Sequence, residues 1–349
     1  MRAVLPDKVT QISDTAMCLS FSAFLDTILI RDSPVPVLTQ GLEFATVGRC
    51  GDRSRMIFDP SPGVRILCLT SMPSTKPHIL ILTDLDGTLL DATTYSYEAA
   101  TDALSAIRAL DASLILVSSK TRSEMEPLRL RLDNRHPFIV ENGGALFIPK
   151  AYFPFPLEQA APRGNYEVVE IGTPYARLRT ALKEIGRDLG CRLRGFGDLS
   201  LEEVSALTGL SPAETLPATQ REYDEPVVVE SNGMVWSRLS AAAATRGLRW
   251  TRGGRFYHLM GENDKGVASR RLIAWYERRA QQEGRALITV GIGDSLNDLP
   301  MLEAVNYPIL VRNPDGSYDP DVQCPHLTRA EGVGPVGWNR SLMDLLPTL

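Results

Sequence analysis

Ile79-Leu80-Ile81-Leu82-Thr83-Asp84-Leu85-Asp86-Gly87-Thr88-Leu89-Leu90 is a run of branched apolar residues that leads into two aspartates one residue apart and then a glycine. An apolar run without alternation reads as a strand buried on both faces, as in a parallel sheet covered by helices. The strand ends where the acids begin, and in open α/β sheets chemistry gathers outside the carboxyl ends of the strands. Asp84 and Asp86 lie on the same side of an extended segment, and Gly87 lets the backbone turn sharply beside a ligand. Taken alone, the Asp-x-Asp-Gly-Thr string is equally well read as a polar turn. The rest of the chain has to decide.

Downstream, apolar residues at helical spacing (Ala100, Leu104, Ile107, Leu110) predict a helix over 97–110. Too few residues separate it from Gly87 to hold a domain. A second buried strand, 113–117, ends in Ser118-Ser119-Lys120-Thr121, and a helix over 122–132 follows. A third strand, 138–140, ends in Glu141-Asn142-Gly143-Gly144. Strand and helix in alternation, each strand ending in polar residues, predict a right-handed βαβ series. From 145 to 261 the pattern changes, with strands over 166–171, 227–230 and 255–259 and helices over 174–189 and 236–247. This segment is expected to be an inserted α+β cap domain, with hinges near Ala145 and Gly261. The helix 265–282 and the strands 286–292 and 307–311 resume the core, the first of those strands ending in Gly293-Asp294-Ser295-Leu296-Asn297-Asp298. The fold class is therefore α/β: a Rossmann-like parallel core over 76–144 and 262–349, and a cap over 145–261.

Residues 1–75 read differently. An apolar run over 16–25 is bracketed by Asp14 and Asp26 and is too short to span a membrane. The segments 28–30 and 35–38 suit short strands, and 71–77 has linker composition. Two readings stand: an N-terminal extension, disordered in whole or in part, or a mis-assigned start with translation beginning at Met72. Mass spectrometry of the native N-terminus separates them.

Composition narrows the function. Of 349 residues, 44% are hydrophobic and 23% charged, as in ordinary globular proteins. A net charge of −5 gives no general attraction to nucleic acid or anionic membranes. Five scattered cysteines and four histidines lack metal-type spacing, which suits reduced thiols in a cytoplasmic protein.

If the sheet is parallel, Asp84/Asp86, Ser118/Ser119, Lys265 and Asp294/Asn297/Asp298 converge above one edge. Clustered carboxylates repel unless a cation neutralises them, and oxygen donors without histidine or cysteine suit Mg²⁺. A lysine and a hydroxyl opposite suit a phosphoryl group. By role, Asp84 at the strand end is the nucleophile, and Asp86 protonates the leaving oxygen and then activates water. Singly, each element has a plainer reading: Ser118-Ser119 as a helix cap, Lys265 as a solvated lysine, the last string as a turn. Their order, each after a strand or at a helix start, outweighs those readings.

As a set, Asp84-Leu85-Asp86-Gly87-Thr88, Ser119, Lys265 and Gly293–Asp298 resemble the haloacid-dehalogenase superfamily of phosphatases, in the subgroup with an α/β cap after the third strand. Further strings (117–122, 138–144, 221–226, 254–259 and 334–339) resemble the mannosyl-3-phosphoglycerate phosphatase family, from about His78 to the C-terminus. The resemblance implies hydrolysis of 2-O-mannosyl-3-phosphoglycerate, a small sugar-glycerate phosphate, to mannosylglycerate and phosphate. It also implies Asp84, Asp86 (through its backbone carbonyl) and Asp294 as Mg²⁺ ligands. Asn297 and Asp298 would orient Lys265 and the phosphate surroundings, with Asn142 near the substrate, and Ser119 matches the second motif better than Ser118. Arg221 is expected either to bind the glycerate carboxylate or to form an ion pair with Asp224 or Glu225. Competing readings are a phosphatase of glucosyl-3-phosphoglycerate or another sugar phosphate, a phosphosugar mutase, and a non-catalytic binding module. No nucleic-acid or membrane partner is expected.

Overall fold

The computed structural model describes residues 17–21, 25–37, 45–49, 54–57, 67–70, 76–229, 236–253 and 256–349. The chain divides into two units, Met1–Thr75 and Lys76–Leu349. In the first, β1 (Met17–Phe21), β2 (Leu25–Val37), β3 (Ala45–Arg49), β4 (Ser54–Ile57) and β5 (Leu67–Thr70) pair in succession, all antiparallel. Both short strands expected there fall in β2 as far as Val37; Leu38, Met72 and the linker residues 71–75 lie outside the described residues.

The second unit is built outward from β6 (His78–Thr83), every residue of which is buried. Its side chains alternate between two cores. Ile79 and Ile81 pack with Leu104, Leu116 and Trp338 on one face, and Leu80 and Leu82 with Leu272, Tyr276 and Leu310 on the other. That is why the sequence shows a continuous apolar run and no alternation. Through α1 (Thr101–Ala109), β7 (Ser113–Val117), α2 (Arg122–Arg131) and β8 (Phe138–Val140), the chain winds the parallel series expected of it.

The insert begins later than the sequence suggests. Glu141, Asn142 and Gly143 all take left-handed backbone angles (φ 47°, 55° and 84°), which reverses the chain after β8. At Gly143 a side chain is excluded, because a Cβ would lie 2.0 Å from the Asp264 carbonyl oxygen. The apolar run that follows, β9 (Ala145–Pro149), therefore turns back antiparallel on β8, and β10 (Ala161–Arg163) and β11 (Tyr166–Glu170) extend the same sheet. Ala145 is fully buried and paired with Glu170 and Val140, so it is no hinge. The chain leaves this sheet only after Glu170 and returns to it through α7. The assignment of 145–170 to the insert is corrected accordingly, because the reversal keeps these strands in register with the core.

The insert has its own core and its own sheet. In chain order it comprises α3 (Tyr175–Leu189), β12 (Leu193–Gly195), α4 (Leu201–Thr208), α5 (Pro212–Thr219), β13 (Asp224–Val229), α6 (Trp236–Ala244), β14 (Arg249–Gly253) and β15 (Phe256–Met260). Its four strands are antiparallel in the order β12-β13-β15-β14. Leu178, Leu182 and Ile185 on one stripe of α3 pack against Val227, Leu239 and Leu259. The core then resumes with α7 (Lys265–Gln282), β16 (Leu287–Gly293), α8 (Leu299–Leu302), β17 (Tyr307–Arg312), β18 (Thr328–Val333) and α9 (Gly334–Leu345). The large sheet has nine strands in the order β10-β11-β9-β8-β7-β6-β16-β17-β18, parallel from β8 to β18. Among the described residues, no helix is long and apolar enough to cross a membrane.

At the opposite end of β6 from the acids, His78 is buried with Nε2 3.1 Å from Ser113 Oγ, and burial, reinforced by Arg285 and Arg279, lowers its pKa to about 4. The unfolded histidine titrates near 6.5, so between these values the unfolded chain binds a proton that the folded chain does not. Stability is thus expected to fall as pH drops from about 6.5 to 4, by at most on the order of 3 kcal/mol from this group. Denaturant unfolding at pH 6.5 and 4.5 checks this. The loss between the two should be smaller in His78→Gln, and an identical pH dependence would refute the assignment.

Candidate active site

Three loops and one helix start meet over the carboxyl edge of the parallel strands. Asp84 and Asp86 follow β6, Ser119 and Lys120 follow β7, and Asp294–Asp298 follow β16. Lys265 opens α7, whose N-cap Asp264 accepts from Val267 N at 2.6 Å. Asp84, Asp86, Ser119, Lys120, Asp294, Ser295 and Asn297 line a cavity of about 360 Å³ whose far wall is supplied by the insert through Phe196, Arg221, Phe256 and His258. Lys265 and Asp298 are buried outside its lining and reach it through Asp84.

The centre is a charge cluster. Lys265, 1% exposed as a residue, donates from Nζ to Asp84 Oδ1 at 2.5 Å and to Asp298 Oδ1 at 2.6 Å. Asp298 Oδ2 accepts from the backbone N–H groups of Asp294 and Ser295, which makes Asp298 the brace of its own loop. Asp294 Oδ1 accepts from Thr88 Oγ1 at 2.9 Å. Gly87, at φ 82°, lets the Asp84 loop lie against Asp294, whose Oδ2 would be 3.2 Å from any Cβ there. Oxygens of Asp84, Asp294 and Asp298 all lie within 4.8 Å of one another.

Three carboxylates against one ammonium leave this cluster short of positive charge. Burial, opposed by Lys265 and aggravated by Asp298 and Asp86, raises the Asp84 pKa to about 7. Burial, with Asp84 and Asp298 beside it, raises that of Asp294 well above the ordinary carboxylate value. Burial works against the Lys265 ammonium, yet Asp298 and Asp84 hold its pKa above that of an ordinary lysine. Among the described residues, Asp84 and Asp294 each use only Oδ1, leaving one oxygen apiece for a cation. An all-oxygen donor set with a deficit of positive charge fits a hard divalent ion.

The other expected residues divide. Ser119 lines the cavity, whereas Ser118 is buried with its Oγ accepting from Lys120 N. Asp86 also lines it, but its Oδ2 is held by Lys120 Nζ at 2.9 Å, and its Oδ1 is buried without a hydrogen-bond partner among the described residues. Asn297 Nδ2 donates to Asn142 Oδ1 at 3.1 Å, and Asn142 Nδ2 donates to Asp224 Oδ2 at 2.9 Å, so these two residues tie the core to the insert. Arg221 makes neither expected ion pair. Its Nε donates to Ala218 O and its Nη1 to Ser119 O at 2.7 Å, with Glu124 at 3.9 Å from Nη2. Held by carbonyls, it fastens the insert to the Ser119 loop as much as it faces the cavity.

Several residues here were not anticipated. Lys120 sits between Asp86 and Glu124, with Nζ 5.1 Å from the centre of the Tyr95 ring. Glu141 is fully buried, and its carboxylate accepts from the backbone N–H groups of Glu222, Tyr223 and Asp224, clamping the entry to β13. Asp224 holds His258 Nδ1 at 2.8 Å. Lys120, Glu141 and His258 all lie inside strings singled out above, but nothing local marks which residue of a string faces the site.

Comparison with known proteins agrees with this geometry. Residues 81–152 match the haloacid dehalogenase-like hydrolase family. A glucosyl-3-phosphoglycerate/mannosyl-3-phosphoglycerate phosphatase of Methanococcoides burtonii is 46% identical over 267 residues, covering 76% of this chain and 97% of that protein. A mannosyl-3-phosphoglycerate phosphatase of Pyrococcus horikoshii is 36% identical over 234 residues, covering 66% of this chain and 90% of that protein. Among solved structures, a phosphatase of the haloalkanoate enzyme superfamily from Bacteroides thetaiotaomicron superposes with a TM-score of 0.51 at 16% identity, over 77% of this chain and 95% of that one. At that identity the likeness is one of fold.

Proposed function

The chain belongs to the haloacid dehalogenase-like hydrolases and is a phosphatase, and from that premise we propose that it hydrolyses 2-O-mannosyl-3-phosphoglycerate to mannosylglycerate and phosphate. The observation that carries the reading is the buried cluster of Asp84, Asp294, Asp298 and Lys265, of which Asp84 and Asp294 open onto one cavity closed by the insert, which serves as a lid. Asp84 attacks phosphorus through a carboxylate oxygen as the ester P–O bond breaks, and Asp86 delivers a proton to the leaving alkoxide. Asp86 then takes a proton from the water that attacks the phosphorus of phospho-Asp84, which releases phosphate and frees the carboxylate. Lys265 and Ser119 offset the charge that builds on the phosphoryl oxygens. Mg²⁺ held by Asp84, Asp86 and Asp294 would supply the neutralising charge that the cluster lacks.

A second reading, that the glucosyl ester is also a substrate, is favoured by relatives from Methanococcoides burtonii and Persephonella marina named as glucosyl-3-phosphoglycerate/mannosyl-3-phosphoglycerate phosphatases, each matched over 97% of its length. A panel of mannosyl- and glucosyl-3-phosphoglycerate, sucrose phosphate and simple hexose phosphates, assayed by free phosphate with and without chelator, tests both. We expect the glycosyl-3-phosphoglycerates to be the best substrates, chelation to abolish release, and added Mg²⁺ to raise the melting temperature. Faster hydrolysis of hexose phosphates would overturn the substrate, and transfer of phosphate to a sugar hydroxyl would identify a mutase.

A further inference from the structure

The lid brings one imidazole to the cavity, and its orientation is fixed from behind. His258, on β15, is 4% exposed, and its Nδ1 lies 2.8 and 3.0 Å from the two carboxylate oxygens of Asp224, which is fully buried. A carboxylate only accepts, so Nδ1 carries a proton, and in the neutral imidazole Nε2 is then the acceptor. Asp224 is in turn fixed by Asn142 Nδ2 and by its own N–H, which donates to Glu141. Each of these groups is at least nine-tenths buried. Among the described residues, His258 Nε2 has no hydrogen-bond partner, while His258 itself lines the cavity that holds Asp84.

The surroundings say what this nitrogen meets. Among the described residues, the cations on the cavity wall are Lys120, following β7, and Arg221, fastened to that same loop. Pro226 pairs with His258 across β13 and β15, and Phe256 lies on the same strand as His258, its ring edge to face with that of Phe196 at 5.1 Å. The Arg221 guanidinium lies 5.7 Å from the Phe196 ring centre, so Pro226 and Phe256 are the apolar neighbours of His258 on the cavity wall. Anionic parts of a substrate therefore belong by the cations. An uncharged, hydroxyl-bearing group fits the apolar wall, with one acceptor set to fix its orientation.

We propose that His258 is a specificity-determining residue whose Nε2 accepts a hydrogen bond from a hydroxyl of the glycosyl group, with Asp224 as its positioning residue. The inference rests on the substrate class proposed above. It makes the lid a reader of the sugar and leaves the phosphate to the core. A site built to pair with a hydroxyl discriminates through the unpaired group left behind when that hydroxyl is missing.

The test compares wild type and His258→Ala on mannosyl-3-phosphoglycerate and p-nitrophenyl phosphate, with melting curves to verify folding. We expect kcat/KM for the glycosyl ester to fall by about 10- to 100-fold, at least tenfold more than for p-nitrophenyl phosphate. Equal losses on both esters, or none on either, would overturn the proposal. Ring-nitrogen NMR of the intact wild type gives a readout independent of the variant. With four histidines in the chain, the His258 signals can be assigned, and they should report Nδ1–H with Nε2 unprotonated; the opposite tautomer, or a ring protonated on both nitrogens, refutes the argument. If wild type itself does not prefer the glycosyl ester, the substrate reading has failed, and the tautomer still reports on the His258 geometry alone.

Discussion

Asp84→Asn is expected to abolish turnover on every phosphate ester while leaving the fold intact or slightly stabilised. An amide oxygen cannot form the acyl phosphate, so the loss should reach about 10⁴-fold or more, as when a covalent nucleophile is removed. The stability half of the prediction follows from charge. Asp84 shares a buried cluster with Asp294 and Asp298, and Lys265 alone in that cluster opposes the three. The amide that Asp84→Asn introduces would still accept from Lys265 Nζ through its carbonyl oxygen while removing one negative charge. Steady-state rates, a melting curve and an acid quench during turnover check it together. The quench should yield a peptide phosphorylated at Asp84 in wild type and none in the variant. Residual turnover above about a hundredth of wild type, with intact-mass analysis excluding deamidation, would move the nucleophile elsewhere.

The parts of this site that are legible in the sequence are those where one local pattern carries both position and chemistry. An apolar run fixes where β6 ends, so Asp84 and Asp86 are placed by the strand itself. The helix over 265–282 can be read to the residue, which puts Lys265 at its first position. The string after β16 is likewise placed by the strand before it. Burial of β6 on both faces and the parallel order of β6, β7 and β8 follow from the same signal.

What is not legible depends on contacts between distant parts of the chain. Glu141 meets the N–H groups of Glu222–Asp224, and Asn142 meets Asp224, some eighty positions on, with nothing near either residue to announce the partner. His258 sits in an ordinary strand pattern, and a lone histidine there reads as core until the carboxylate behind it is seen. For Arg221 the sequence offers a neighbouring acid, but the fold supplies two carbonyls instead. The shifted boundary of the insert has a backbone cause. Consecutive left-handed residues at 141–143 are rare outside glycine, and only that reversal reveals that 145–149 is a core strand. The helices α4 and α5, eight residues each, are too short for periodicity to show, although Ser200 with Glu203 and Ser211 with Glu214 mark their starts.

Lys265→Met is expected to be the most damaging single change, because it removes activity and stability together. Met matches the bulk of the side chain but leaves Asp84 and Asp298, both buried, without their shared cation. Breaking a buried pair from one side costs about 3–5 kcal/mol, which corresponds to a melting temperature lower by roughly 10 °C. Turnover should fall by about 10³-fold through lost stabilisation of the transferring phosphoryl group. Lys265→Arg should not rescue it, since a planar fork cannot reproduce a point charge between two carboxylate oxygens in a fully enclosed space. The decisive comparison is the double variant Lys265→Met with Asp298→Asn. Removing the second charge also removes the repulsion that the first substitution exposed, so the double variant should melt above Lys265→Met while remaining inactive. An amide at 298 can still accept from Asp294 N and Ser295 N, so the loop keeps its brace. If the double variant instead loses the sum of the two single effects, the lysine is held by packing, and the electrostatic account of the cluster fails.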